Sequence, residues 1–456
     1  MGETGTVRAG LCLLVCTASA QAVPPTTTQA APGDLDELVL AYFQQDDSTE
    51  RQKTLVRIEE LDGATVQKVA EAVRKAPLWE SRPTRRDDFV FTTASGERRA
   101  VQVQLPNGYD PAGRYPLALG LASGGGGGDD AVLDNIVAMI GPQADGFIVA
   151  VPQECRGCVF HSRPGETFEP LDLLKELRRR YHVDTDRVYV LGEGKGGTAA
   201  LDLAISCTHW LAGAVSMNGS PDVPYPQQAL ELLLPNLANT PTLVVWVGQD
   251  EAAATSKPGP TSAPLDPNDI VRQVAQQYGL PIHTVKLRPG VREPSPAVFE
   301  RLADVLNSRR NVDAHQVSHW FRYPAHGRSG WLRQVAFESF VWDAPQITIL
   351  PGAGTDFHAY VTKILKSKMA FLAGRIEGQN IEVLTTNTTE VEVRLHAGLL
   401  DLNQPIQIDW NGQRRFTIRV ATRIATLLET AHEDWEFQHL TTVRVRLNPT
   451  DPPRQR

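Results

Sequence analysis

Val188-Tyr189-Val190-Leu191-Gly192-Glu193-Gly194-Lys195-Gly196-Gly197 decides how the rest of the chain is read. An apolar run rich in β-formers stops at a cluster of glycines. Thr198-Ala199-Ala200-Leu201-Asp202-Leu203-Ala204 then reads as helix. The order is strand, tight turn, helix. A chain that reverses this sharply needs glycine beside the turn, where a Cβ would strike the returning backbone. Gly192 and Gly196 fill those flanking positions, and Gly194 at the tip has no side chain at all. The stretch also invites comparison with a phosphate loop. Lys195 is followed by Gly196, however, so the spacing is not G-x-x-x-x-G-K-[ST]. The backbone N–H groups at the helix start still favour an anion.

Working outward, apolar runs at residues 115–121, 147–151, 212–216, 243–247 and 282–287 are separated mostly by helical patterns, among them 171–181, 198–207 and 267–278. Strands alternating with helices predict βαβ units and a mostly parallel sheet over residues 86–310. Phe89-Val90-Phe91 and residues 100–105 flank Ser95-Gly96 and read as an antiparallel pair ahead of that alternation. Residues 34–85 carry helical apolar spacing, with Leu35, Leu38, Val39, Tyr42 and Phe43 leading. They read as a short helical lead-in that packs onto the main domain. Ser308-Arg309-Arg310-Asn311 looks like a domain edge, and residues 311–367 read as a linking segment with short strand-like aromatic and β-branched runs between His319 and Trp342. Residues 368–450 read as all-β, a small β-sandwich. Within it, Asn411-Gly412 between residues 406–410 and 416–418 predicts a hairpin with a type I′ turn.

The 456 residues are too many for one ordinary domain, and 41% hydrophobic with 21% charged residues are globular values. A net charge of −8 and the absence of a basic block exclude a nucleic-acid footprint. Arg8, the apolar residues 9–16, and two A-x-A patterns at 18–20 and 20–22 read as a signal peptide over residues 1–22. A Pro/Thr/Gln/Ala-rich linker follows at 23–33. The expected location is therefore exported, periplasmic or extracellular, with no stable membrane insertion. Export favours a small disulfide between Cys155 and Cys158, or unpaired thiols, over a redox motif, and no metal-ligand spacing accompanies them.

Three features carry a resemblance to a known group. Leu105-Pro106-Asn107-Gly108-Tyr109-Asp110-Pro111, the Gly-rich loop after the next strand, and Asp184-Thr185-Asp186-Arg187-Val188-Tyr189 before the turn resemble α/β-hydrolases of the esterase and depolymerase type. Members are described as prolyl-oligopeptidase-like or feruloyl-esterase-like. The resemblance covers about residues 86–310, and the tail is similar to a β-sandwich appended to some exported members. It implies a nucleophile elbow, G-x-S-x-G, at the turn.

It also implies a serine attacking an acyl carbon, a histidine taking its proton, an acid orienting the histidine, and backbone donors for the oxyanion. At the serine position stands Gly194, which cannot attack. The oxyanion loop falls on Ala122, Ser123 and Gly124, at the head of a five-glycine run, with Lys195 following the nucleophile position. The acid falls on Asp250, or Glu251, after the strand at 243–247. The histidine slot after the strand at 282–287 holds Val291 or Arg292, neither a base near neutral pH. His319 and His326 come later and read as linker histidines. The expectation is a catalytically degenerate hydrolase fold, without cofactor, that binds a small ligand, a polysaccharide or a protein. The alternatives are an active hydrolase using other residues, such as Asp250 with His326 or Ser123, and a structural module acting through its β-sandwich.

Overall fold

Apolar runs without polar alternation mark strands that are covered on both faces. The computed structural model describes residues 34–455 except 94–95, 97, 122–128, 153–169, 249–265, 291–295, 339–346, 348, 350–351, 353 and 449–453. Eight strands form one sheet: β1 (Phe89–Thr92), β2 (Arg98–Gln104), β3 (Tyr115–Leu121), β4 (Ile148–Pro152), β5 (Val183–Glu193), β6 (Gly213–Met217), β7 (Thr242–Val247) and β8 (Ile282–Leu287). Their order is β1-β2-β4-β3-β5-β6-β7-β8. β1 and β2 pair antiparallel, β2 joins β4 antiparallel, and every later pairing is parallel.

Successive side chains of a strand point to opposite faces, so each parallel strand feeds two cores. On one face Leu117, Leu119, Val188, Val190, Val244 and Trp246 pack under α5 (Pro170–Arg180), α6 (Lys195–Ser206), α7 (Pro226–Leu233) and α8 (Pro267–Tyr278). On the other, Ala118, Tyr189, Leu191, Leu243 and Val245 pack under α4 (Asp129–Ile140) and α9 (Pro296–Leu306).

The helical lead-in sits elsewhere than expected. The three helices α1 (Leu35–Gln44), α2 (Ser48–Glu60) and α3 (Val66–Lys75) bury Val39, Phe43, Ile58 and Val69 against Leu427, Leu428, Ala431 and Trp435. Those partners belong to or adjoin α11 (Ile424–Asp434), a helix inside the stretch read as all-β. Leu427, Leu428 and Ala431 share one helical face, which is why that stretch is not a strand. Near the end of the lead-in, Arg85 pairs with Asp145 at 2.6 Å, and Trp79 reaches the end of α5. It stacks on His182 with ring centroids 3.8 Å apart and donates to the Arg178 carbonyl at 2.9 Å.

The residues read as a linking segment contribute strands as well. β9 (Gln316–Phe321) pairs with β12 (Ala370–Glu377), and β11 (Leu332–Phe337) pairs with β14 (Thr388–Leu395) and with β10 (Arg328–Ser329). With β13 (Asn380–Thr386), β15 (Ile406–Trp410), β16 (Arg414–Ile418), β17 (Val443–Leu447) and β18 (Arg454–Gln455) they make two five-stranded sheets. One common core, including Val317, Leu332, Leu372, Val393, Ile408 and Val445, holds them together. The helix α10 (Phe357–Ser367) returns to the large domain, burying Val361 and Leu365 in its core. In the β15–β16 hairpin, Asn411 and Gly412 both have positive φ, 55° and 64°, as a type I′ turn requires. The pairing places Trp410 opposite Arg414, leaving a three-residue loop.

Candidate functional site

The elbow is built as its glycines demand. Gly194 stands between β5 and α6 with φ 57° and ψ −122°, a region that L side chains enter only under strain. Its N–H donates to the Met217 carbonyl at 2.8 Å, and its own carbonyl accepts from the Thr198 N–H at 3.0 Å. A Cβ on Gly192 would lie 2.1 Å from the Gly196 carbonyl oxygen, so the two arms of the turn touch backbone to backbone. Gly197 is needed for the same reason, since its Cβ would meet the Met217 carbonyl oxygen at 2.7 Å. Gly219, which the sequence reading did not single out, would press a Cβ to 2.4 Å from the Thr198 nitrogen.

Parallel pairing puts the C-terminal ends of β3, β5, β7 and β8 along one edge of the sheet. β3 lies beside β5, with Leu121 paired to Gly192, so the oxyanion residues Ala122, Ser123 and Gly124 follow from the strand next to the elbow. In the sequence, Asp250 comes after the end of β7, and Val291 and Arg292 come after the end of β8. All six lie outside the described residues, as do Glu251, Cys155 and Cys158. Lys195 is described: it opens α6 and its side chain is exposed. Cys207 is buried.

Two histidines are not where the sequence reading put them. His319 lies in β9 and is fully buried, its Nε2 3.0 Å from the His326 carbonyl oxygen. His326 is buried in a short turn, edge-on to Tyr323 with ring centroids 5.7 Å apart. Burial pushes the His326 imidazole down to about 3, with Arg322 adding to the effect while Asp202 opposes it. Asp202 follows Gly194 by about two helical turns of α6, roughly 12 Å along its axis. His326 is therefore a neutral ring in the seam beside α6. It is part of this buried seam and not a linker histidine.

One polar group beside the elbow carried no sequence signal. Ser216 in β6 pairs with Gly192 and is 1% exposed, and its Oγ has no hydrogen-bond partner. In sequence it is one small residue of a buried strand. Among the described residues no group of three or more His, Cys, Asp or Glu is placed to hold a metal ion, and no helix is long and apolar enough to cross a membrane.

No protein-family model matches the chain, and no curated protein matches it. Among solved structures, a thermostable esterase is similar over 50% of this chain at 17% identity, with a TM-score of 0.39. The match spans 64% of that esterase's length. A ferulic acid esterase is similar over 48% of this chain and 96% of its own, at 14% identity and a TM-score of 0.37. The S-formylglutathione hydrolase of Staphylococcus aureus is similar over 49% of this chain and 98% of its own, at 12% identity and a TM-score of 0.35. The strand order, the two antiparallel strands at its start and the glycine elbow between β5 and α6 give this part of the chain the architecture of an α/β-hydrolase fold.

Proposed function

We propose that this chain is an exported hydrolase-fold protein that has lost ester chemistry and acts by binding a ligand or partner. One observation carries the reading. Gly194 takes the backbone conformation of an elbow nucleophile and offers no atom that can attack. Glycine enters that region freely, so the strain stored under a catalytic serine is absent too. The absence of a base at Val291 and Arg292 in the sequence points the same way. Triad members act as a unit, so a single restored member recovers little.

Gly194→Ser tests the reading. The variant is expected to fold, at a cost of about 1–2 kcal/mol from the positive φ. It is expected to turn over p-nitrophenyl esters no faster than the parent, and the parent no faster than buffer. Substantial turnover by the single variant would mean that a base already lies within reach. Turnover by the parent would mean that the protein is a hydrolase using other residues.

A further inference from the structure

The parallel strands have a second edge, and a cavity of about 340 Å³ lies there. Its walls come from the end of α5, from residues 208–211 before β6 and 238–240 before β7, and from the β-sandwich and α11. These are the N-terminal ends of the strands, whereas the elbow is at the C-terminal end of β5. The volume falls within the range of small-molecule sites, about 300–1,000 Å³.

Four arginines line this cavity, Arg178, Arg310, Arg328 and Arg394, against two carboxylates, Asp434 and Glu436. Three of the four are paired. Arg310 bonds Glu436 at 2.5 Å and Asp186 at 3.4 Å, and Arg328 bonds Asp434 at 2.6 Å. Arg394 bonds Glu392, Glu433 and Asp434 at 2.7, 2.8 and 3.0 Å. Both wall carboxylates are thereby occupied.

Arg178 differs. It is 2% exposed, its Nη1 donates only to the Asp434 backbone carbonyl at 3.2 Å, and its Nε and Nη2 have no partner. The guanidinium lies 4.1 Å from the centroid of the Trp210 ring. Glu436 and Asp434 attract this cation without hydrogen-bonding it through a carboxylate. Leaving Nε and Nη2 buried and unpaired is costly, and the planar guanidinium fork matches a carboxylate with two parallel hydrogen bonds. Burial lowers Arg178 to about 9, which leaves it charged at neutral pH.

We propose that this cavity binds a small carboxylate ligand, with Arg178 recognising the carboxylate and Trp210 and Trp331 covering its apolar part. Asn239, Asn311 and Gln316, which are exposed lining residues, form the polar rim through which it enters. The site does not depend on the lost chemistry of the elbow, so each is tested without the other.

The test is calorimetric titration of the full chain with acetate, succinate and benzoate, beside inorganic phosphate, at constant ionic strength. At least one carboxylate is expected to saturate at one per chain, with phosphate weaker. Arg178→Met is expected to weaken that binding about tenfold or more, the worth of a charged hydrogen bond. Ala238→Trp, at an exposed lining position, is expected to abolish it by filling the entrance. If Arg178→Met does not fold, Ala238→Trp decides the matter alone. The proposal fails if no carboxylate saturates, or if either folded variant binds as the parent does. Phosphate binding as tight as that of every carboxylate would overturn the carboxylate assignment.

Discussion

Arg394→Met is expected to lower stability by about 3–5 kcal/mol, as removal of one member of a buried charge network does. Arg394 in β14 is 2% exposed and holds Glu392, Glu433 and Asp434 together. Without it Glu392, equally buried, keeps only the longer contact with Arg446 at 3.9 Å. Arg394→Lys should recover part of the loss, since one ammonium cannot satisfy three carboxylates in the geometry of a guanidinium. Urea unfolding of the three proteins measures this, and a loss below about 1 kcal/mol for Arg394→Met would show that the network contributes little.

The same network makes a prediction about pH. Burial alone would raise the Asp434 carboxyl, but Arg328 and Arg394 hold it well below the usual range. Glu433 is likewise raised by burial and lowered, on balance, by Arg394, and Glu436 by Arg310 and Arg178. Groups whose folded values are depressed bind fewer protons in the folded state than in the unfolded chain. Their contribution is fully present above the unfolded carboxylate range of about 4, and is lost as pH falls below it toward their folded values. The parent should therefore lose stability steeply between about pH 5 and pH 3. Arg394→Met should show a shallower slope over that span, because Glu433 and Asp434 have each lost a cation. Equal slopes would contradict the assignment of those shifts.

Gly192→Ala is expected to cost about 3 kcal/mol or more, at the upper end of overpacking effects. The added Cβ would lie 2.1 Å from the Gly196 carbonyl oxygen and 2.3 Å from its carbon, both backbone atoms that cannot rotate away. Relief requires opening the turn, which pulls Gly194 from its hydrogen bond to Met217. Gly146→Ala is the control, because nothing lies within 4 Å of its Cβ position and its φ is ordinary. That change should be neutral or stabilise by about 0.4–1 kcal/mol. If both variants melted alike, the elbow would not be held by backbone contact.

What the sequence disclosed follows from the range of the interactions. Residues 188–204 carry their own instructions, a strand, a turn with two close-contact glycines, Gly192 and Gly197, around Gly194, and a helix, all within one local segment. The hairpin at Asn411-Gly412 was legible for the same reason. The helix α11 was missed because it is a single helix between strands, read by its neighbours rather than by the face of Leu427, Leu428 and Ala431. The strand-like runs that become β9 and β11 are legible, but the sheets they join are not, because each pairs with a partner some 50 to 60 residues on. Arg178 looks in sequence like any basic residue in the last turn of an amphipathic helix, beside Arg179 and Arg180. Its burial comes from Trp210 and from Asp434, which is 256 residues away. Asp184-Thr185-Asp186-Arg187 was read only as a mark of resemblance. Here Thr185 and Asp186 also dock the C-terminal segment, through Glu436, Gln438 and His439.

The central claim is that the elbow of this fold carries no nucleophile. The most direct measurement is the intact mass of the purified protein after incubation with an excess of a fluorophosphonate probe, beside an active serine esterase. The expected result is complete labelling of the esterase and an unchanged mass for this protein. A stoichiometric mass increase, mapped to Ser123, Ser216 or any other serine, would show that a reactive hydroxyl stands in the site and would contradict the account.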